Sequence, residues 1–294
     1  MLRPLFVGDV QGCADELDEL VDRAAATLGP EGFVLHLVGD LVNRGPASLR
    51  VLERVRGLEE RGRAVTVLGN HDLGLLSAYL GLRDLRPTDT FGDVLRAPDA
   101  RDWIDWLRTR PVAVTGRVGA RPFAMVHASV SPGWDLATLE ATARRVEARL
   151  GGADLGDTRA FLAADPRRDP DRDALGRLVS CRSVDASGAW SAAEPNRPAD
   201  AWHARWAAAG HPYGVVYGHW ATQGLHVATG LRGLDTGCVH HGRGRDGFLT
   251  AWLPDPDAPD PFALPDPGRL WQVRARRAYY RELAEQERAA AGSR

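Results

Sequence analysis

FVLHLVGDLVNRGP, from Phe33 to Pro46, decides the fold. Phe33–Val38 is a short, mostly apolar run that reads as a strand. It breaks on Gly39–Asp40. Pro46 suits the first turn of a helix reaching Arg61, with Leu49, Leu52 and Val55 on one face. The same unit recurs on either side. Upstream, Pro4–Gly8 runs into Gly8–Asp9–Val10–Gln11–Gly12 and a helix over Glu16–Leu28, with Leu17, Leu20, Val21 and Ala24 at helical spacing. Downstream, Ala64–Leu68 runs into Gly69–Asn70–His71–Asp72 and a helix over His71–Leu80. Strands joined by helical crossovers predict an α/β fold with a parallel sheet covered by helices. The carboxyl ends of such strands form the ligand crevice, so Asp9, Asp40 and Asn70 should converge on one edge.

Beyond this core the pattern predicts helices over Asp99–Arg108 and Leu136–Leu150, separated by a strand at Pro122–Val126. Residues 151–175, rich in Asp, Arg, Gly and Pro, read as an irregular excursion or short cap. From Tyr213 onward come short strands at Gly214–Tyr217, Leu225–Ala228, Leu231–Leu234 and Phe248–Trp252. LPDPDAPDPFALPDPG reads as a linker to a charged helix, Val273–Ala289, outside the core. The division is thus a domain over 1–253, with helical or irregular excursions near 83–110 and 135–177, and a linker plus helix over 254–294.

The 294 residues, 44% hydrophobic, suffice for a large core. A net charge of −2 argues against a dedicated duplex-DNA binder. The positive residues are nearly all Arg, which suits bidentate phosphate contacts. Cys13, Cys181 and Cys238 form no CxxC pair and read as thiols in a reducing compartment. No apolar run approaches the roughly 20 residues of a membrane span, and the N-terminal run is too short for a signal peptide. A cytoplasmic protein is expected.

Two later strands end like the first three, at Met125–Val126–His127 and at Tyr217–Gly218–His219–Trp220. A lone GD turn is common, an Asn or Asp after a strand often only caps a helix, and a single histidine is usually part of the core. Together the five positions supply two carboxylates, one amide oxygen and two imidazoles. This set suits Mn²⁺, Fe²⁺, Co²⁺ or Zn²⁺, and its lack of thiolates argues against a structural zinc.

GDVQG, GDLVNRG, GNHD, His127 and GHW resemble the signature of the calcineurin-like metallophosphoesterases. The longer stretches GDLVNRGPASLRVL, VLGNHDLGLLSAYLG, LRAPDARDWIDWLR, HASVSPGWDL, GHWATQGL and GLDTGCVHHG are similar to the symmetrical bis(5'-nucleosyl)-tetraphosphatase branch, which splits diadenosine tetraphosphate into two ADP. The resemblance, over about residues 4–253, implies a four-layer α-β-β-α sandwich with a small helical cap. It implies two divalent cations, Mn²⁺ or Co²⁺ foremost, with Fe²⁺ or Zn²⁺ as alternatives. By position, Asp9 and the Gln11 amide oxygen would serve the first cation and Asp40 would bridge both. Asn70, His127 and His219 would complete the second site. His71, oriented by Asp72, would protonate the leaving oxygen, and Arg44 would grip a nonbridging oxygen. Trp134 and Trp220 are the candidates for lining a nucleoside pocket.

The chain departs from the pattern at three places. Gln11 stands where many members have His, and Asn43 where many have Asp. An Arg-rich segment is shortened to LGRLVSCRSVDASG, with Arg182 surviving and Ser180 where another Arg would stand. Dinucleoside polyphosphates are the expected substrates, and nucleoside-tetraphosphate caps on RNA 5' ends fit the same chemistry. The competing readings are a phosphomonoesterase or protein serine/threonine phosphatase on the same scaffold, and a nucleotide-binding regulator without turnover.

Overall fold

A computed structural model of the chain describes residues 2–264 and 267–279. The repeated unit becomes β1 (Arg3–Val7), α1 (Ala14–Leu28), β2 (Phe33–Leu37), α2 (Ser48–Glu59) and β3 (Ala64–Thr66). The three strands are parallel, with Leu5 opposite Leu35 and Leu35 opposite Ala64. Leu17, Leu20, Val51, Leu52 and Val55 of the two helices are buried in one cluster with Leu5, Leu35 and Leu37. The third turn opens α3 (Asn70–Tyr79), followed by α4 (Gly92–Leu95) and α5 (Ala100–Arg108).

The hairpin β4 (Ala113–Val118) and β5 (Arg121–Val126) begins the second sheet. After it come α6 (Leu136–Leu150), α7 (Leu155–Ala163) and α8 (Pro170–Ser180), the small hairpin of β6 (Ser183–Val184) and β7 (Trp190–Ser191), and α9 (Trp202–Ala209). Strands β8 (Gly214–Tyr217), β9 (His226–Ala228) and β10 (Leu231–Gly233) complete that sheet in the order β4-β5-β8-β10-β9. The chain returns to the first sheet through β11 (Asp235–Thr236), β12 (Phe248–Trp252) and β13 (Leu270–Arg274).

Alternation along β1 joins the sheets. Leu5 and Val7 face the helices, whereas Phe6 belongs to a second cluster with Phe123, Met125, Val216 and Trp252. Phe6 and Phe123 meet edge to face at 5.1 Å. Burying one such ring contributes about 1.5–3 kcal/mol, and this inter-sheet core holds both sets of strand ends to a common rim. The calcineurin-like sandwich expected from the sequence is thus the observed architecture. Among the described residues, no helix is long and apolar enough to cross a membrane.

One open reading is decided and one expectation is corrected. Of the alternatives for residues 151–175, irregular or helical, the helical one is observed: they form α7 and the first half of α8. Asp154 accepts from Gly156 N and Asp157 N, and Asp169 from Asp171 N and Arg172 N. The Asp and Asp-Pro pairs that read as loop composition are helix caps. The packed unit does not stop at residue 253. Phe262 is fully buried between the sheets, and β13 pairs along the whole of β12. In β13, Trp271 and Val273 are buried while Gln272 and Arg274 are exposed, the period-2 pattern of a strand rather than a helix. Tyr279 is also buried, its hydroxyl bonded to both oxygens of Glu16 at 2.7 and 2.8 Å. The rest of the expected helix, 280–289, lies outside the described residues.

Candidate metal centre

The polar turns are strained where they meet. Among the described residues, five non-glycine residues have positive φ, and all are here: Gln11 (46°), Asp40 (49°), Asn43 (79°), Arg44 (67°) and His219 (69°). Each such conformation costs about 1–3 kcal/mol, a cost that clusters at functional sites. Glycines let the turns interlock. A Cβ on Gly69 would stand 2.1 Å from Asp40 Oδ1, and one on Gly218 2.0 Å from Asp9 Oδ1. The Gly before Asn70 and the Gly before His219 therefore make room for carboxylates from the opposite turns.

The structure brings Asp9, Asp40, Asn70, His127 and His219 together. Asp9, Asp40 and His127 offer ligand atoms within 4.8 Å of one another. His127 Nδ1 bonds the Val38 carbonyl at 2.8 Å, which leaves Nε2 as a lone pair 3.1 Å from Asn70 Oδ1 and 3.4 Å from Asp40 Oδ1. His219 Nε2 bonds the Ser180 carbonyl at 3.0 Å, leaving Nδ1 at 2.7 Å from the same Asn70 oxygen. Carbonyls behind the rings thus fix both tautomers and aim their acceptor atoms at an oxygen, the arrangement a cation between them requires. Gln11 lies beside them, its Nε2 donating to Asp40 Oδ2 at 3.3 Å.

The charge balance agrees. Burial, then Asp235 and Asp40, push the Asp9 carboxyl well above its ordinary range. Burial, with Asp40 adding to it, raises Asp235 to about 6. Burial also works to raise Asp40, but His127 and His71 overcome it and hold Asp40 below the usual carboxylate range. Carboxylates crowded at this density are stabilised by divalent cations. The donor set therefore fits the cations that the turns imply.

Asp72 is in place but has another role. Its carboxylate accepts from Leu41 N (3.0 Å), Val42 N (3.3 Å) and Gly69 N (2.9 Å), tying the second turn to the third. The expectation that Asp72 orients His71 is corrected: a residue at the start of α3 turns back onto its own helix entrance. The partner of His71 Nδ1 is Asn43 Nδ2 at 2.8 Å. Trp134 and Trp220 are likewise reassigned. Neither lines the cavities at the centre; Trp220 is buried against His203, ring centroids 5.8 Å apart, and Trp134 packs on the core.

Two cavities meet at the centre. One, of about 560 Å³, holds Gln11, Asp40 and His219 with Arg182, Arg243 and Arg245. The other, of about 340 Å³, holds Asn43 with Arg83, Arg86 and Arg172. Arg44, Asn70 and His71 line both. Arg44, Arg182 and Arg245 are positioned by carbonyl oxygens, of Thr88, of Ala192 and His219, and of Ala221 respectively. Their charge therefore faces the cavity. Burial and then Arg245, Arg243 and Arg44 press the His240 imidazole down to about 4, so that ring is neutral at pH 7.

A family model for calcineurin-like phosphoesterases matches residues 2–159. The chain belongs to that family. Within it, the chain is 38% identical over 252 residues to the "Bis(5'-nucleosyl)-tetraphosphatase, symmetrical" of Burkholderia mallei (strain SAVP1), covering 80% of this chain and 86% of the relative. It is 40% identical over 252 residues to the protein of that name from Aromatoleum aromaticum, covering 79% and 88%. For the one from Tolumonas auensis the figures are 38% over 271 residues, 86% and 94%. The fold is shared with the crystal structure of a chain taken to be a diadenosine tetraphosphatase (TM-score 0.59, 24% identity, 93% of this chain and 94% of that one). It is also shared with a protein serine/threonine phosphatase of Saccharomyces cerevisiae (TM-score 0.52, 14% identity, 93% and 79%). This phosphoesterase chain is a hydrolase.

Asp235, His240, Arg243 and Arg245 escaped the sequence reading. The signal for Asp235 was present: Leu234–Asp235–Thr236–Gly237 is another acidic turn after an apolar run. β1 and β11 pair end to end on one edge of β12, which sets Asp235 beside Asp9. The basic residues lie on a glycine-rich loop whose direction no local pattern specifies.

Proposed function

We propose that this chain hydrolyses dinucleoside tetraphosphates symmetrically, releasing two nucleoside diphosphates, with Mn²⁺ or Co²⁺ as the working cations. The observation that carries this reading is the pair of basic cavities joined at Arg44, Asn70 and His71. Central cleavage needs the reacting phosphorus midway along the substrate and room for a nucleotide half on each side. The names carried by the relatives at 38–40% identity support the same substrate.

Asp9, Gln11, Asp40, Asn70, His127 and His219 would hold the cations, which when bound supply an acidified water and neutralise phosphate charge. The chain's own residues do the rest. Arg44 and Arg182 bind nonbridging oxygens and hold phosphorus in line. Asn43 Oδ1 accepts from Arg44 N and Thr90 N, both at 2.9 Å, so its amide NH₂ must face His71 Nδ1. That donor leaves the His71 proton on Nε2, the nitrogen 3.9 Å from Asp40 Oδ2 at the reaction centre. Burial lowers the His71 pKa and keeps the ring neutral, so as the central P–O bond breaks Nε2–H donates a hydrogen bond that stabilises the charge on the departing diphosphate oxygen.

The test is product analysis of diadenosine tetraphosphate hydrolysis with Mn²⁺ or Co²⁺, beside phosphoserine peptides and simple phosphomonoesters. ADP as sole product is expected. ATP plus AMP, or a preference for monoesters, refutes the reading.

A further inference from the structure

Where the family pattern places an arginine, this chain has Ser180, and its carbonyl is engaged by His219. The larger cavity nevertheless contains arginines from a different part of the chain, on the HHGRGR loop between β11 and β12. We propose that Arg243 and Arg245 form a phosphate clamp in this cavity, binding nonbridging oxygens of the substrate phosphates remote from the scissile bond and so selecting polyphosphate over monophosphate esters. The proposal rests on the tetraphosphatase reading and names the residues that set its chain-length preference.

The loop is built to present these groups. Gly242 and Gly244 take positive φ (82° and 79°), which curls the segment tightly. The curl is closed by Arg243 N to the His240 carbonyl at 3.2 Å and Gly242 N to the Arg245 carbonyl at 3.1 Å. Gly247 N bonds His241 Nδ1 at 3.2 Å, fixing the loop's exit. Arg245 Nη1 reaches across to the Ala221 carbonyl at 2.6 Å, so its guanidinium spans from this loop to the turn that carries His219. The adjacent carboxylate, Asp246, is engaged elsewhere, 2.7 Å from Arg274. Arg243, Arg245 and Arg44 all line this cavity beside His240, so positive charge from two segments, the loop and the turn after β2, converges on one wall. A wall of oriented guanidinium groups facing a cavity that ends at buried carboxylates suits an extended anion whose reacting phosphate lies over the metal centre and whose tail lies along the wall.

Two variants test the clamp in the full-length, metal-loaded protein: Arg243→Ala and Arg245→Gln. The second removes the charge but keeps a donor for the Ala221 carbonyl, so a collapsed loop does not mimic a lost contact. The readouts are kcat/KM for diadenosine tetraphosphate, kcat/KM for p-nitrophenyl phosphate, and the dissociation constant of inorganic tripolyphosphate by calorimetry. The ratio of the first to the second should fall about tenfold for each variant, with tripolyphosphate binding weakened by a similar factor, as expected for one charge-assisted contact. Equal losses on both esters, or unchanged tripolyphosphate affinity, would overturn the clamp. A wild-type enzyme that cleaves only the monoester would refute the tetraphosphatase reading instead, and tripolyphosphate affinity would still decide the clamp.

Discussion

Asn43→Asp isolates the polar chain behind His71. In the wild type, Asn43 Nδ2 lies 2.8 Å from His71 Nδ1 and 3.0 Å from Asp89 Oδ1. Burial opposes the Asp89 charge, but Arg83, Arg86 N and Asn43 hold its pKa below the ordinary value, so it is ionised at pH 7. The substitution keeps the oxygen that accepts from Arg44 N and Thr90 N and replaces the NH₂ with a second oxygen facing Asp89. Two unit charges at 3.0 Å repel by about 5 kcal/mol at an effective dielectric of roughly 20. Arg83, 2.6 Å from the other Asp89 oxygen, offsets part of this, leaving a net loss of about 2–4 kcal/mol. Urea unfolding at pH 7 should show it as a lower midpoint at constant slope.

The sign of the pH dependence adds a second check. A carboxyl whose folded pKa is raised destabilises only while ionised in the folded state, so the deficit should shrink as pH falls from 7 through that raised pKa and be gone below about 4. Adding Asp89→Asn should restore most of the stability, because the new amide can donate to the carboxylate at position 43 and accept from Arg83 and Arg86 N. Full stability in Asn43→Asp alone, or additive losses in the double variant, would refute this account of the network.

Asp40→Asn should lower kcat by several orders of magnitude with little change in Tm of the metal-free protein; wild-type metal stoichiometry by elemental analysis, with wild-type activity, would count against a bridging role. His71→Asn should retain metal and, by removing one hydrogen bond to the leaving oxygen, lose about 10²–10³-fold in kcat on alkoxide leaving groups. Its loss on a phenolate of low pKa should be much smaller, and a uniform loss across such a series would mean that His71 positions phosphate instead. Tyr279→Phe leaves the buried Glu16, among the described residues, with the Arg276 N bond alone and should cost about 1–3 kcal/mol in urea unfolding, which tests whether the segment after β13 belongs to the folding unit.

Much of the centre was legible in the chain because its signals are local. Asp9, Asp40, Asn70, His127 and His219 each follow an apolar run directly, and parallel strands carry their ends to one rim. The helices after residue 151 were obscured because Asp154 and Asp169 cap helices with the same residue types that make loops. β13 was obscured because two buried residues among charged ones, Trp271 and Val273, are too short a pattern to separate strand from helix.

Local periodicity and residue type therefore determined the α/β framework, the turns, the donor chemistry and the resemblance to the phosphoesterases. The tertiary structure decided which side chains face one another across long separations. Asn43 rather than Asp72 meets His71 because the second turn crosses over the third, and Asp235 joins Asp9 because two strands share an edge of β12. Arg243 and Arg245 reach the cavity from a loop with two left-handed glycines, whose course depends on bonds to Ala221 and His240. Hydrophobic spacing encodes which face of an element is buried, but the direction of a polar side chain in a turn depends on the segments packed opposite it, and only the folded chain supplies those.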